Sequence, residues 1–251
     1  MSALVAVLYR EGLIRATNVT FIFWDVFYPL GYLLVFGVGM SSALGIRMPD
    51  TGYDYNAFFL AGVLGMASFG IASNTAWSFF MDRDNGIFYE MLTYPMSRAG
   101  YLLGKVSFNV LVAVAQAAVT VALAAVLLDV PVRASGVPLL AAAVVVGTSG
   151  WFFFYATFAL LIRRNDAFNT VTSVFYFVFL FASSMFYPID PLPRAFRVAA
   201  IANPITWQVD VLRHATIGAG DPGRIAAEAA AFVVFTLMCF VAAHWALQHQ
   251  E

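Results

Sequence analysis

Charge is what this chain lacks. Only 11% of its 251 residues are charged, while 62% are hydrophobic and mean hydropathy is +0.82. Soluble domains carry about 25% charged and about 45–50% apolar residues, so a water-facing surface cannot be built from this composition. The 13 basic and 14 acidic residues leave a net charge of −1, which excludes a nucleic-acid partner held by bulk electrostatics. A single cysteine, Cys239, excludes an intramolecular disulfide or a thiolate metal cluster and reads as a small apolar residue. Three histidines, His214, His244 and His249, are scattered without metal-ligand spacing. What remains is an integral membrane protein.

The gaps between charges give the architecture. Residues 26–46, 55–81, 106–128, 134–162, 167–189 and 229–250 are free of charge. Each run exceeds the roughly 20 residues a helix needs to cross the hydrocarbon, whereas strands need only about 10. The expected fold is all-α: one transmembrane domain over 1–251 with six spans. Met1–Leu8 is too brief for a cleavable leader and is followed by Arg10, Glu11 and Arg15. Residues 3–23 set Leu4, Val7 and Leu8 against Arg10, Glu11 and Arg15, which suits a helix lying in the membrane interface.

Basic residues orient the spans. Arg10, Arg15, Arg83, Arg98, Lys105, Arg163 and Arg164 fall on one side, with Arg47 and Arg133 opposite once the long segment 190–224 is set aside. Both termini are therefore expected in the cytoplasm of a cell-membrane protein, and 186–224 outside. The sequon Asn18-Val19-Thr20 falls on the cytoplasmic side, where it carries no meaning.

Two segments outside the spans carry detail. In 82–105, Asn85-Gly86 is a turn signal, and Ile87–Tyr94 forms about two helical turns before Pro95. Its aromatic and aliphatic side chains beside Glu90 and Arg98 suit either a protein partner or packing on the bundle itself. In 186–224, Pro188, Pro191 and Pro193 stop the fifth span. Two short helices, Ala195–Ala202 and Ile205–Ile217, follow around the breaker Asn203-Pro204, with Asp210 and Arg213 spaced to pair. Such a pair reads as a re-entrant cap or as a surface loop.

Few polar residues interrupt the spans: Asn74, Thr75, Asn109, Gln116, Asn169, Thr170, Thr172 and Ser173. They mark a pathway or bond between helices. The dense aromatics of 151–155 and 175–181 could line part of such a route for an amphipathic or glycosidic substrate. Gly100 and Gly104, with the alanines of 113–125, suit close helix contact.

Glu90-Met91-Leu92 with Pro95, Ser97 and Arg98, then Leu103-Gly104-Lys105, resembles the cytoplasmic coupling segment of type-2 ATP-binding-cassette exporter permeases. Ser183-Ser184-Met185-Phe186-Tyr187-Pro188 with Leu192-Pro193, then Asn203-Pro204-Ile205-Thr206-Trp207, Val209-Asp210 and Leu212-Arg213, resembles their external signature. The chain is most similar to permeases of drug and lipo-oligosaccharide exporters; Trp207 stands where Tyr or His is expected. The resemblance implies a subunit that pairs with a second copy of itself and binds two copies of a separate ATPase. Phe88, Glu90, Met91, Leu92, Tyr94, Pro95 and Arg98 would couple to that ATPase. Phe186, Tyr187, Pro188, Asn203, Pro204, Trp207, Asp210 and Arg213 would form the external gate. Asn74, Thr75, Thr170, Ser173 and Phe177 would line the pathway, since the family places the second and fifth spans around it. No Gly-x-x-x-x-Gly-Lys-Ser/Thr occurs, so this chain is expected to hold no cofactor and catalyse nothing, with ATP and Mg bound by the partner. A membrane enzyme acting on a lipid-linked substrate and a secondary carrier are the alternatives. The first would need a catalytic His/Asp pair, the second an intramembrane ionisable relay.

Overall fold

Helices follow the charge-poor runs. The computed structural model describes residues 3–40, 54–91, 93–94 and 97–249, and these form helices and connections with no strand among them. The elements are α1 (Ala3–Thr17), α2 (Val19–Val38), α3 (Tyr55–Asp84), α4 (Ile87–Met91), α5 (Arg98–Leu127), α6 (Val137–Leu161), α7 (Asn165–Phe181), α8 (Arg194–Ala202), α9 (Pro204–Ile217) and α10 (Pro222–Gln248). This is a polytopic, all-helical membrane protein. Helices α2, α3, α5 and α10 are long and apolar enough to cross a bilayer, as is α6 with the turn before it. The 17 residues of α7 rise about 25 Å.

Hydrophobic on every side, α3 takes the centre. It packs on α6, α5, α9 and α2, while α10 lies along α6. By contrast α7 is loosely attached, and Val174, Phe177, Val178 and Phe181 are exposed along it. Two π-helical turns, Phe23–Phe27 and Leu33–Val38, flank Pro29 in α2. Such turns re-aim side chains and recur at functional positions.

Two expectations need correction. The first span begins at Val19, not 26, because Asn18 caps a new helix by accepting from the Thr20 amide; residues 41–46 of the expected span lie outside the described residues. The fifth helix stops at Phe181, well before Pro188: Asn203 Nδ2 donates to the carbonyls of Phe179 and Ala182, drawing the chain out of the helix there. The sequence left open which face of α1 packs on the bundle. Val7, Glu11 and Arg15, four residues apart, are buried, whereas Leu4, Val5, Tyr9 and Leu13 are exposed. The charged stripe packs inward on α5 and the aliphatic one faces out, the arrangement a helix adopts when its outer neighbour is lipid.

Candidate functional site

The inward stripe of α1 has charged partners on α3 and α5. Lys105, fully buried, donates to Glu11 at 2.9 Å and lies 2.9 Å from Asp82. Arg10 grips the same Asp82 through both guanidinium nitrogens at 2.5 and 3.0 Å and also reaches Glu11. Tyr101 donates to Asp82 at 2.5 Å. One turn further along α1, Arg15 pairs with buried Asp25 of α2 and donates to Thr75 at 2.6 Å. Thr75 in turn donates to Asn109, and Asn74 Nδ2 donates to Asp25 at 2.9 Å. Three acids and three bases thus form a neutral ladder running from Asp82 to Asn74.

Burial works against the charge on Arg10, but the Asp82 carboxylate outweighs it and holds the guanidinium above its ordinary value. Burial, partly opposed by Glu11, pulls Arg15 down to about 10, so it stays charged at neutral pH. From the sequence, these charges only bound and orient the spans. A discoverable signal was the i, i+4 run Val7, Glu11, Arg15, together with Gly104: a Cβ there would sit 2.7 Å from Val7, so glycine lets α1 approach α5.

At one end the ladder meets α4. Phe88 is fully buried, edge-on to Phe79 and against Tyr101 with centroids 5.6 and 5.4 Å apart. It anchors α4 and presents nothing outward. Tyr89, Glu90 and Tyr94 are exposed, and Met91 is half-buried. Arg98 donates to the Leu247 carbonyl at 3.1 Å, tying α5 to the end of α10. Leu92 and Pro95 lie outside the described residues.

At its other end the ladder reaches a cavity of about 460 Å³ between α2, α3 and α7. Trp24, Tyr28, Tyr32, Tyr176, Phe177, Phe181 and Phe186 supply aromatic faces, and Ser73, Asn74, Thr172 and Ser173 supply hydrogen-bonding groups. Among the described residues no charged side chain lines it. Of the expected pathway residues, Asn74, Ser173 and Phe177 meet here. Thr75 turns away into the ladder, and Thr170 is spent on the Asp166 carbonyl at 2.8 Å, so neither lines the cavity. The sequence reading missed the α2 tyrosines, whose spacing Tyr28, Tyr32, Phe36 is a plain i, i+4 stripe.

Above the cavity the chain folds back through α8 and α9. Asn203 caps α9 by accepting from the Ile205 amide at 3.1 Å. Asp210 accepts from Arg213 at 2.6 Å, from Ser184 at 2.8 Å and from Arg224 at 2.8 Å, and Arg213 also donates to the Ser184 carbonyl. The Arg213 guanidinium lies 3.9 Å from the Phe58 ring centroid. Trp207 donates to Ile201, Tyr187 to Phe181, and Tyr55 to the Phe186 carbonyl at 3.1 Å. Phe186, Tyr187, Pro188 and Pro204 are half-buried in this cap. Among the described residues no cluster has metal-ligating composition.

Comparison with known proteins bears on the family of the chain. The chain is 22% identical over 190 residues to the transport permeases named ycf38 of Porphyra purpurea and Pyropia yezoensis. That match takes in 75% of this chain and 65% of theirs, so the chain spans just under two thirds of the length of those relatives. The sequence model of the ABC-2 type transporter membrane family matches residues 2–217, which takes in α1, the ladder, α4, the cavity and the cap. On that match the chain belongs to the ABC-2 type transporter family.

Proposed function

We propose that this chain is the transmembrane subunit of an ATP-binding-cassette exporter, working as a pair of copies with two copies of a separate ATPase. In this reading α7 also crosses, as the fifth of six spans, both termini lie in the cytoplasm of a cell membrane, and the α8–α9 cap is the external gate. Tyr89, Glu90 and Tyr94 meet the ATPase, while Phe88 and Arg98 fasten the contact to the bundle. The observation that carries the proposal is a run of packed groups from Phe88 through Tyr101, Asp82 and Lys105 to Glu11, continued one turn further along α1 by Arg15 with Asp25 and Asn74. Displacement of α4 has a rigid route to the cavity wall, since packed and ion-paired elements shift as units rather than deform.

The cavity favours an uncharged, amphipathic substrate. Aromatic faces stack on rings and apolar chains, the hydroxyl and amide groups take hydrogen bonds, and Asp25 just behind Asn74 is neutralised by Arg15. The test is reconstitution with the cognate ATPase in proteoliposomes. Glu90→Ala should weaken ATPase binding roughly ten- to thirtyfold, as for an interface residue worth about 1.4–2 kcal/mol, with thermal stability unchanged. Wild-type binding and transport by that variant would remove the coupling role; transport without any ATPase would remove the exporter reading.

A further inference from the structure

The end of the bundle beside α4 holds a basin that the ladder does not use. It encloses about 470 Å³ where α3, α6 and α10 finish, and most of its wall is polar. Arg83 and Asp84 come from α3, Tyr89 from α4, Arg163 from the turn after α6 and His249 from just beyond α10, with Leu161 on one side. Arg83 is buried, and its terminal nitrogens cap α6 by donating to the carbonyls of Leu160, at 2.6 Å, and Ile162. Tyr89, Asp84 and Arg163 all lie within electrostatic range of that guanidinium, so their polar ends gather over one place in the basin. Arg164, the next residue, is spent on Asp166 at 2.7 Å, whereas Arg163 is exposed and has no hydrogen bond or ion pair among the described residues. Two guanidinium groups thus share one carboxylate, and a positive charge is left over.

Depth and shape narrow what would match it. Helices α6, α10 and α3 have 25, 27 and 30 residues, rising about 38, 40 and 45 Å. A bilayer measures about 30 Å across its hydrocarbon and about 40–45 Å with headgroups, so the helix ends around the basin fall among the headgroups. The anion concentrated at that depth is a lipid phosphate, whose oxygens fit the planar fork of an arginine. A choline or ethanolamine headgroup brings its own cation, whereas a lipid of net negative charge matches the excess. Leu161, 52% exposed, adds an apolar edge for the glycerol and first acyl carbons.

We propose that this basin binds the phosphate of an anionic phospholipid, with Arg163 donating to it and Arg83 supplying charge from behind. A headgroup there ties the turn after α6 to α3 and α4. The site rests on the membrane placement of the helices and not on the exporter reading.

The full chain, purified in detergent, is titrated with phosphatidylglycerol, phosphatidylcholine or inorganic phosphate, with adducts counted by native mass spectrometry and the thermal midpoint followed in parallel. Phosphatidylglycerol should bind at least tenfold more tightly than phosphatidylcholine and raise the midpoint; phosphate at equal concentration should leave the midpoint in place. Arg163→Gln should weaken phosphatidylglycerol about tenfold, whereas Arg164→Gln, the same change in net charge one residue on, should keep it within about twofold. Asp84→Asn removes the competing carboxylate and should strengthen binding about threefold, a gain that damage to the fold does not produce. All three positions are exposed, so these variants keep the fold. Equal binding of the two lipids, equal weakening by Arg163→Gln and Arg164→Gln, or a full midpoint shift from phosphate alone would overturn the site. So would an Arg163→Gln chain that loses the ATPase but keeps phosphatidylglycerol, which would give the basin to the protein partner instead.

Discussion

Replacing Lys105 by Met tests the ionic ladder most directly. Methionine keeps the length and apolar stem of lysine but removes an ammonium that touches Glu11 and Asp82, both at 2.9 Å, and Ser78 at 3.4 Å. Two carboxylates would then share Arg10 alone, in a site where Lys105 has no exposed surface and Glu11 only 2%. Breaking a buried ion pair by removing one partner costs about 3–5 kcal/mol, most of it from the charge left uncompensated. The double variant Lys105→Met/Glu11→Gln restores neutrality, leaving Asp82 with Arg10 and Tyr101, and should lose only about 1–2 kcal/mol. The double variant is thus expected to be more stable than one of its parents, a sign reversal that simple side-chain loss cannot produce. Equilibrium unfolding in lipid bicelles, run on all four members of the cycle, reads this out. A cost under about 1 kcal/mol for Lys105→Met, or additivity across the cycle, would mean that water reaches the ammonium and that α1 is not held by charge.

Other outcomes follow from the same contacts. Phe88→Ala should destabilise by about 3–5 kcal/mol, since the ring is fully buried, whereas Tyr89→Ala should leave the unfolding midpoint within experimental scatter and act on ATPase binding alone. Gly104→Val should push α1 off α5; with Cys239→Ser and Val7→Cys in the background, thiol labelling at position 7 should rise from nearly none to complete. Ser173→Trp should fill the cavity beside Phe177 and stop transport while the thermal midpoint holds, because Ser173 is exposed along α7. Asn203→Ala removes the α9 cap and two bonds to the end of α7, and should cost about 2–3 kcal/mol by unfolding in bicelles.

The spans were legible because lipid tolerates so few charges that the gaps alone mark them, and the breaks at Asn203-Pro204 and Asn85-Gly86 were legible because they are local chemistry. The ends were not. The α7 terminus depends on a side chain more than twenty positions away, Asn203, which no local rule connects to Phe179. The ladder was missed for a similar reason: a charged residue near a helix end reads as hydrated, and only tertiary packing brings Glu11 to Lys105. Three of the residues on the cavity wall, Asn74, Ser173 and Phe177, were among those singled out in the sequence. The α2 wall stayed hidden because its aromatic stripe looks the same whether it faces lipid or a lumen.

The bond between Glu11 and Lys105 spans 94 positions, which has a consequence for biogenesis. At about 5–20 residues per second, some 5–20 s separate synthesis of the acid from synthesis of its base. Through that interval α1 has no docking partner and waits at the membrane surface with Glu11 hydrated. Its seating marks the moment when α3 and α5 stand side by side, so a chain inserted in the wrong order would betray itself to proteases by an undocked α1.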